Sequence, residues 1–393
     1  MTTMIKRTMA VKLKYLSTKF PVITVTGPRQ SGKTTLVKKV FPKHDYVSLE
    51  DYDNRDFAAQ DPRGFLKTYG TGVIIDEIQR VPRLFSYIQT VVDTKNKPGM
   101  FILTGSQNFL LTENVSQTLA GRVAILKLLP LSINELSDAK YTLANPEKYV
   151  FKGFYPRIYD KNISPRDWYP NYIHTYLERD IRLIKNISNL STFQNFIRLC
   201  AGRTGQILNL SSLGNDCGIT HNTAKDWLSI LESSYLVFLL KPYHNNFNKR
   251  LVKMPKLYFY DTGLACSLLG IQTVKQLETH YFRGSLFESF VISEIMKNRL
   301  NLGLEPNCYY WRDKVGNEID CIIEHPQSLV QVEIKAGKTI ASDFLKGLKY
   351  WQKIAGDKNT NPYLIYSGEK AITRESVKIL SWKEVKLLTH PLS

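Results

Sequence analysis

Eight consecutive residues, Gly27-Pro28-Arg29-Gln30-Ser31-Gly32-Lys33-Thr34, read G-x-x-x-x-G-K-T, the pattern of a loop that wraps phosphate. Gly27 and Gly32 permit backbone angles that let successive N–H groups curl around an anion. Lys33 has the reach for β- and γ-phosphates, and the hydroxyl of Thr34 suits Mg2+. Thr35 stands beside it in the same turn. Such a loop needs a buried strand before it and a helix amino terminus after it, whose dipole adds to the anion site. The β-branched run Val22–Thr26 supplies the strand, and the stretch from Thr34 to Val40 can open the helix. The chemistry implied is the binding of a nucleoside triphosphate with Mg2+.

Two further strand ends fit the same site. Gly72-Val-Ile-Ile-Asp76-Glu77 is an apolar run ending in two acids, the mark of a central strand that delivers carboxylates at its carboxyl edge. There Asp76 would hold the water shell of Mg2+, and Glu77 would polarise the attacking water as general base. Met100-Phe-Ile-Leu-Thr104-Gly-Ser106 ends in hydroxyls, so Thr104 or Ser106 would sense the γ-phosphate or orient the water. Arg122 stands immediately before another apolar run. It is either a finger directed at the nucleotide of a neighbouring copy, which implies a homo-oligomer, or a surface arginine. Strands alternating with helices predict an α/β domain with a parallel sheet.

These stretches resemble the AAA+ ATPase superfamily, and more narrowly the prokaryotic AAA+ ATPases with a DUF4143 region at the carboxyl end. The resemblance makes Lys33 and Thr34 Walker A residues and Asp76 and Glu77 Walker B residues. It places Thr104 near sensor 1 and makes Arg122 the candidate arginine finger. It also implies a helical lid after the core, with Gly153-Phe154-Tyr155-Pro156 where relatives often carry Gly-Gly-Tyr-Pro.

A second constellation lies in the last third of the chain. Glu288 sits near the start of an amphipathic helix, Asp320 on one strand, and Glu333 and Lys335 on the next. Period-two alternation puts Glu333 and Lys335 on one face. Asp320 and Glu333 would share Mg2+ or Mn2+, with Lys335 beside an attacking water. This order resembles the PD-(D/E)xK nuclease fold, whose members either cut DNA or keep the fold as a binding module.

Between these regions, two short helix patterns and a tight turn at Gly218 and Thr220 precede a hairpin, which resembles a winged helix-turn-helix. Lys225 on the second helix and Lys249, Arg250 and Lys253 on the hairpin loop are candidate nucleic-acid contacts. The alternative is a hairpin that binds protein or packs on the lid. The expected organisation is a nucleotide-binding core over 1–130, a lid over 131–190, the winged helix over 191–262 and the nuclease-like domain over 263–393.

A chain of 393 residues exceeds one ordinary core. Its net charge of +18 favours a polyanion, most often nucleic acid, over an anionic membrane surface. The five cysteines show no C-x-x-C spacing, so neither a zinc site nor a disulfide framework is expected. No apolar run is long enough for a membrane span, so the cytoplasm and no membrane partner are expected. Two functions fit this reading. One is an ATP-hydrolysing protein that binds DNA and cuts it through the carboxyl-terminal domain. The other is a nucleotide-gated switch whose inactive nuclease-like domain holds a protein partner.

Overall fold

The computed structural model describes residues 5–69, 72–106, 118–177, 189–244, 254–355 and 360–389. Short β-branched runs form the first sheet: β1 (Val22–Thr26), β2 (Asp45–Ser48), β3 (Val73–Asp76), β4 (Phe101–Gly105) and β5 (Val123–Lys127). All are parallel, in the order β2-β3-β4-β1-β5. Every residue of β1, β3 and β4 is buried, as central strands covered on both faces require. Helices α1 (Met9–Ser17) and α2 (Lys33–Val40) cover one face, where Met9, Leu13, Leu36 and Val37 meet Ile23, Val25 and Ile102. The other face buries Phe65, Leu84, Phe85 and Ile88 against Val22, Ile75, Phe101 and Leu103. Each such side chain contributes about 1.5–3 kcal/mol. Because the strands are parallel, the turns after β1, β3 and β4 all open at one edge.

The second sheet is mixed. It comprises β6 (Val237–Pro242), β7 (Lys256–Phe259), β8 (Cys308–Arg312), β9 (Glu318–Glu324), β10 (Leu329–Lys335), β11 (Thr360–Tyr366), β12 (Ile372–Arg374) and β13 (Val377–Ser381). Their order is β12-β13-β11-β10-β9-β8-β6-β7. The Arg283–Asn301 helix packs through Leu286, Phe290 and Ile295 on one face, with Val330 and Val332 in the same core. The Lys346–Ala355 helix covers the other through Leu348 and Trp351, with Ile319, Ile322 and Leu364.

The fold class is the one the sequence predicts, with one difference in how the parts join. The β6–β7 hairpin, expected as a wing, is an edge of this second sheet. Lys241 and Pro242 pair with Tyr309 and Tyr310 of β8 in parallel register. An exposed strand edge invites such pairing, and no local pattern announces it. The expected boundary at residue 262 therefore follows a hairpin that pairs within the carboxyl-terminal sheet. The hairpin is preceded by helices Leu190–Ala201, Leu210–Cys217 and His221–Ser233. These and the short helices between Ile133 and Tyr172 share one apolar core with the Arg283–Asn301 helix.

Buried polar groups fasten these parts together. Glu294 accepts a hydrogen bond from the Ile133 N–H at 2.8 Å and pairs with Lys297 at 2.9 Å. Asp261 accepts from Phe154 N–H at 2.7 Å, Leu264 N–H at 2.9 Å and Tyr169 OH at 2.6 Å. Gly153, at φ +68°, leaves room for that cluster, since a Cβ there would lie 1.7 Å from the Tyr169 hydroxyl. The turn that follows carries Pro156 and Arg157 toward the first sheet. No helix of the described residues is long and apolar enough to cross a membrane.

Glu232, near the end of the His221–Ser233 helix, gives a pH prediction. Burial raises its carboxyl from the usual range to about 7, against the opposing charge of Lys241. A folded pKa above the unfolded one gives stability that is full below about pH 4.5 and lost as pH rises through 7. Glu232→Gln removes that loss. Its melting temperature will exceed that of the wild type at pH 8 and converge with it at pH 4.5; equal melting temperatures at pH 8 would contradict the burial.

Candidate functional site

The phosphate loop joins β1 to α2 at the carboxyl edge of the first sheet. Gly27 has φ +147° and lies against the Leu128 carbonyl, where a Cβ would sit 2.1 Å from the oxygen. Gly32 caps α2 at φ +93° and Gln30 is left-handed at φ 60°. Lys33 turns back into the loop, its Nζ donating to the carbonyls of Gly27 at 3.0 Å and Pro28 at 2.9 Å. Ser31 Oγ and Gln30 Oε1 are buried without a hydrogen-bond partner among the described residues. Arg29 points to Glu50 at 3.3 Å. A cavity of about 1270 Å³ opens over the loop. Its walls include Thr34, Thr35, Asp76 and Glu77, with Val11 on α1 and Arg157 after the Gly153 turn.

Asp76 gathers hydroxyls from three elements. Thr34 Oγ1 donates to its Oδ2 at 2.8 Å, Tyr46 OH to the same oxygen at 2.9 Å, and Thr104 Oγ1 to Oδ1. Burial, then the Asp76 charge, pushes the Tyr46 hydroxyl up to about 12. Glu77 follows in a left-handed conformation at φ 55°, which non-glycine residues adopt rarely. Its Oε2 accepts from Gln79 Nε2 and, at 3.2 Å, from Ser106 Oγ. The Thr34 hydroxyl beside the Asp76 carboxylate is a hard-oxygen pair that fits Mg2+, and the unpartnered Ser31 and Gln30 atoms fit a polar guest above the loop. Of the two hydroxyls at the end of β4, Thr104 bonds Asp76 and Ser106 bonds Glu77.

Arg7 was not legible as part of this site. Its guanidinium donates to Ser31 O at 2.6 Å and Leu129 O at 2.7 Å, and pairs with buried Glu135 at 3.1 Å. Tyr46 and Gln79 were likewise missed, because a tyrosine in a strand and a glutamine after an acidic pair carry no signal of their own.

Arg122 lies elsewhere. It precedes β5 at the amino edge of the sheet, roughly 16 Å of strand away from the loop, and forms a fork on Asp93, with Nη2 to Oδ2 at 3.0 Å. It does not reach the pocket of its own chain, so any part in hydrolysis requires a second copy.

The carboxyl-terminal residues do converge, in a cluster where Lys256 and Lys335 stand among Glu288, Glu318, Asp320 and Glu333. Lys335 pairs with Glu333 at 2.5 Å and lies 4.0 Å from Asp320. Asp320 accepts from the Ile334 N–H at 2.7 Å. Glu288 accepts from Tyr258 OH and faces Lys256 Nζ at 3.3 Å, and Lys256 also pairs with Glu318. Burial and the neighbouring Asp320 charge raise Glu288 to about 7 and Glu333 to about 8. Burial pulls Lys256 down, but Glu288, Asp320 and Glu318 together override it and hold the ammonium above its ordinary range. No group of three or more histidine, cysteine, aspartate or glutamate side chains is arranged to hold a metal ion among the described residues. Asp320 and Glu333, the expected Mg2+ or Mn2+ pair, both lie beside Lys335, and Glu333 Oε2 is buried without a hydrogen-bond partner among the described residues. The sequence missed Lys256 and Tyr258, which arrive from β7. Of the nucleic-acid candidates, Lys225 is exposed on its helix, while Lys249, Arg250 and Lys253 lie outside the described residues.

Comparison with known proteins agrees with the nucleotide-binding part of this reading. Residues 19–137 match the AAA domain, residues 144–275 a domain of unknown function (DUF8612), and residues 283–385 a second such domain (DUF4143). The chain is 30% identical over 340 residues to the uncharacterized protein Rv2008c of Mycobacterium tuberculosis, covering 85% of this chain and 74% of the relative. It is 24% identical over 365 residues to the uncharacterized protein MJ1544 of Methanocaldococcus jannaschii, covering 84% and 78%. Among solved structures, a Walker-type ATPase of Pyrococcus abyssi superposes with a TM-score of 0.45 at 14% identity, over 66% of this chain and 94% of that one. The RuvB Holliday junction branch migration motor of Thermotoga maritima gives 0.30 at 16% identity, over 58% and 86%. With a phosphate loop, a paired Asp76–Glu77 strand end and a DUF4143 domain in one chain, this protein belongs to the prokaryotic AAA ATPases that carry a DUF4143 domain, and it is a relative of Rv2008c.

Proposed function

We propose that this chain hydrolyses ATP in the β1–α2 cavity and uses the nucleotide cycle to control binding of DNA. The observation that carries the first half is the Thr34–Asp76 contact at 2.8 Å beneath the phosphate loop. Lys33 leaves the carbonyls of Gly27 and Pro28 to meet the β- and γ-phosphates, and the loop N–H groups cradle them. Thr34 and Asp76 would hold Mg2+, which would neutralise charge on the phosphates. Glu77, held by Gln79 and Ser106, takes the proton of the attacking water. Arg157, exposed at the cavity mouth, is placed to meet the nucleotide from the lid side.

The net charge of +18 supports DNA as the partner. Binding without cutting is supported by the described residues holding no group of three or more histidine, cysteine, aspartate or glutamate side chains arranged for a metal ion. The nuclease-like domain then serves as a scaffold for contacts.

Lys33→Ala will abolish ATP binding measured by calorimetry. Glu77→Gln will keep it while hydrolysis falls about 10²- to 10⁴-fold. Tight ATP binding in Lys33→Ala would sink the loop assignment.

Duplex DNA will accelerate hydrolysis in the wild type, and its affinity will fall steeply as salt rises. The DNA will stay intact in Mg2+ or Mn2+. Breaks that vanish in Asp320→Asn would overturn the non-cutting reading. An absence of DNA binding at low salt would move the partner to a protein.

A further inference from the structure

Thr26 is the last residue of β1 and precedes Gly27 of the phosphate loop. Its Oγ1 donates to the Leu126 carbonyl at 3.4 Å and lies 2.7 Å from the hydroxyl of Tyr235. The two hydroxyls form one buried hydrogen bond, in which either can donate. Two residues on from Leu126, Leu128 donates its N–H to Thr26 O at 2.8 Å, and its carbonyl presses on Gly27. The frame beneath the loop is thus closed by one side chain from elsewhere in the chain.

That side chain comes from the joint between the His221–Ser233 helix and the β6–β7 hairpin. Tyr235 is 4% exposed, so its hydroxyl has exchanged water for Thr26. Its backbone is left-handed at φ 57°, a conformation that is a true outlier for a bulky residue and persists only where the surroundings over-determine it. Tyr235 N–H to Glu232 O at 3.0 Å and Leu236 N–H to Leu231 O at 3.0 Å hold the turn. Leu129 and Leu131, just beyond β5, share an apolar core with Leu231, Leu236 and Val237. The hydrogen bond therefore sits at a packed joint between the nucleotide core and the helix–hairpin segment.

We propose that Tyr235 is a positioning residue for the phosphate loop, through which the helix–hairpin segment sets the affinity of the chain for ATP. The inference rests on the nucleotide reading above. Coupling of this kind is reciprocal: whatever displaces the helix–hairpin segment changes ATP affinity, and ATP changes affinity for that partner by the same factor.

The test is ATP affinity by titration calorimetry on the full chain, with apo melting temperatures measured in parallel. Tyr235→Phe keeps the ring and loses only the hydroxyl, and will weaken ATP binding about fivefold. Thr26→Val will weaken it similarly, and the double variant no further than Thr26→Val alone. Thr26→Ser will recover most of the affinity lost in Thr26→Val. A lower melting temperature with unchanged ATP affinity in Tyr235→Phe would overturn the proposal, as would fully additive effects in the double variant. If the wild type binds ATP and Lys33→Ala does not, either result overturns the role of Tyr235 alone. A wild type that binds no ATP overturns the nucleotide reading as well.

Discussion

The carboxylate of Asp76 is the point on which the nucleotide site depends. A buried carboxylate is costly unless its lone pairs are met, and here Thr34 on α2, Tyr46 on β2 and Thr104 on β4 meet them. Those three donors can converge only if β2, β3 and β4 lie side by side and the phosphate loop turns α2 over the end of β3. The parallel sheet supplies this arrangement. It brings the ends of β1, β3 and β4 to one edge, with Gly27, Asp76 and the Thr104–Ser106 hydroxyls in one row. Charge-assisted hydrogen bonds to one acid thus fix the relative positions of α2, β2, β3 and β4.

The rest of the chain is built onto that site. Arg7 ties the segment before α1 to the loop carbonyl of Ser31 and to Glu135. Glu294 ties the Arg283–Asn301 helix to Ile133, just beyond the core sheet. Tyr235 reaches Thr26. Removing one partner of the fully buried Glu294–Lys297 pair would leave an uncompensated charge, a loss of about 3–5 kcal/mol. The ATPase core and the carboxyl-terminal half therefore meet through buried polar bonds set in a shared apolar core.

The phosphate loop was legible because its chemistry is local: glycine, lysine and threonine act within eight residues, and a β-branched run announces the strand before them. Asp76 and Glu77 were legible as a pair at the site because an apolar β-branched run ending in two acids delivers them at the carboxyl edge of a central strand, where Thr34 meets Asp76. Tyr46 was not, since a tyrosine in a strand is ordinarily a packing residue and its bond to Asp76 depends on the order of the sheet. Lys256 and Tyr258 were hidden for the same reason. They reach the Glu288 and Asp320 cluster from a hairpin far upstream, and only the pairing of β6 with β8 brings them there. That long-range pairing also turned an expected wing into a sheet edge. Glu333 and Lys335 were legible as neighbours from the strand alternation, and Asp320 of β9 lies 4.0 Å from Lys335.

The most direct test is a crystal structure of the chain with a non-hydrolysable ATP analogue and Mg2+. The triphosphate will lie inside the 27–34 loop, with Lys33 Nζ moved from the carbonyls of Gly27 and Pro28 onto phosphate oxygens and the Thr34 hydroxyl turned from Asp76 to the metal. A nucleotide seated outside the loop, or a bound nucleotide with Lys33 still on those two carbonyls, would refute the assignment of this site to ATP.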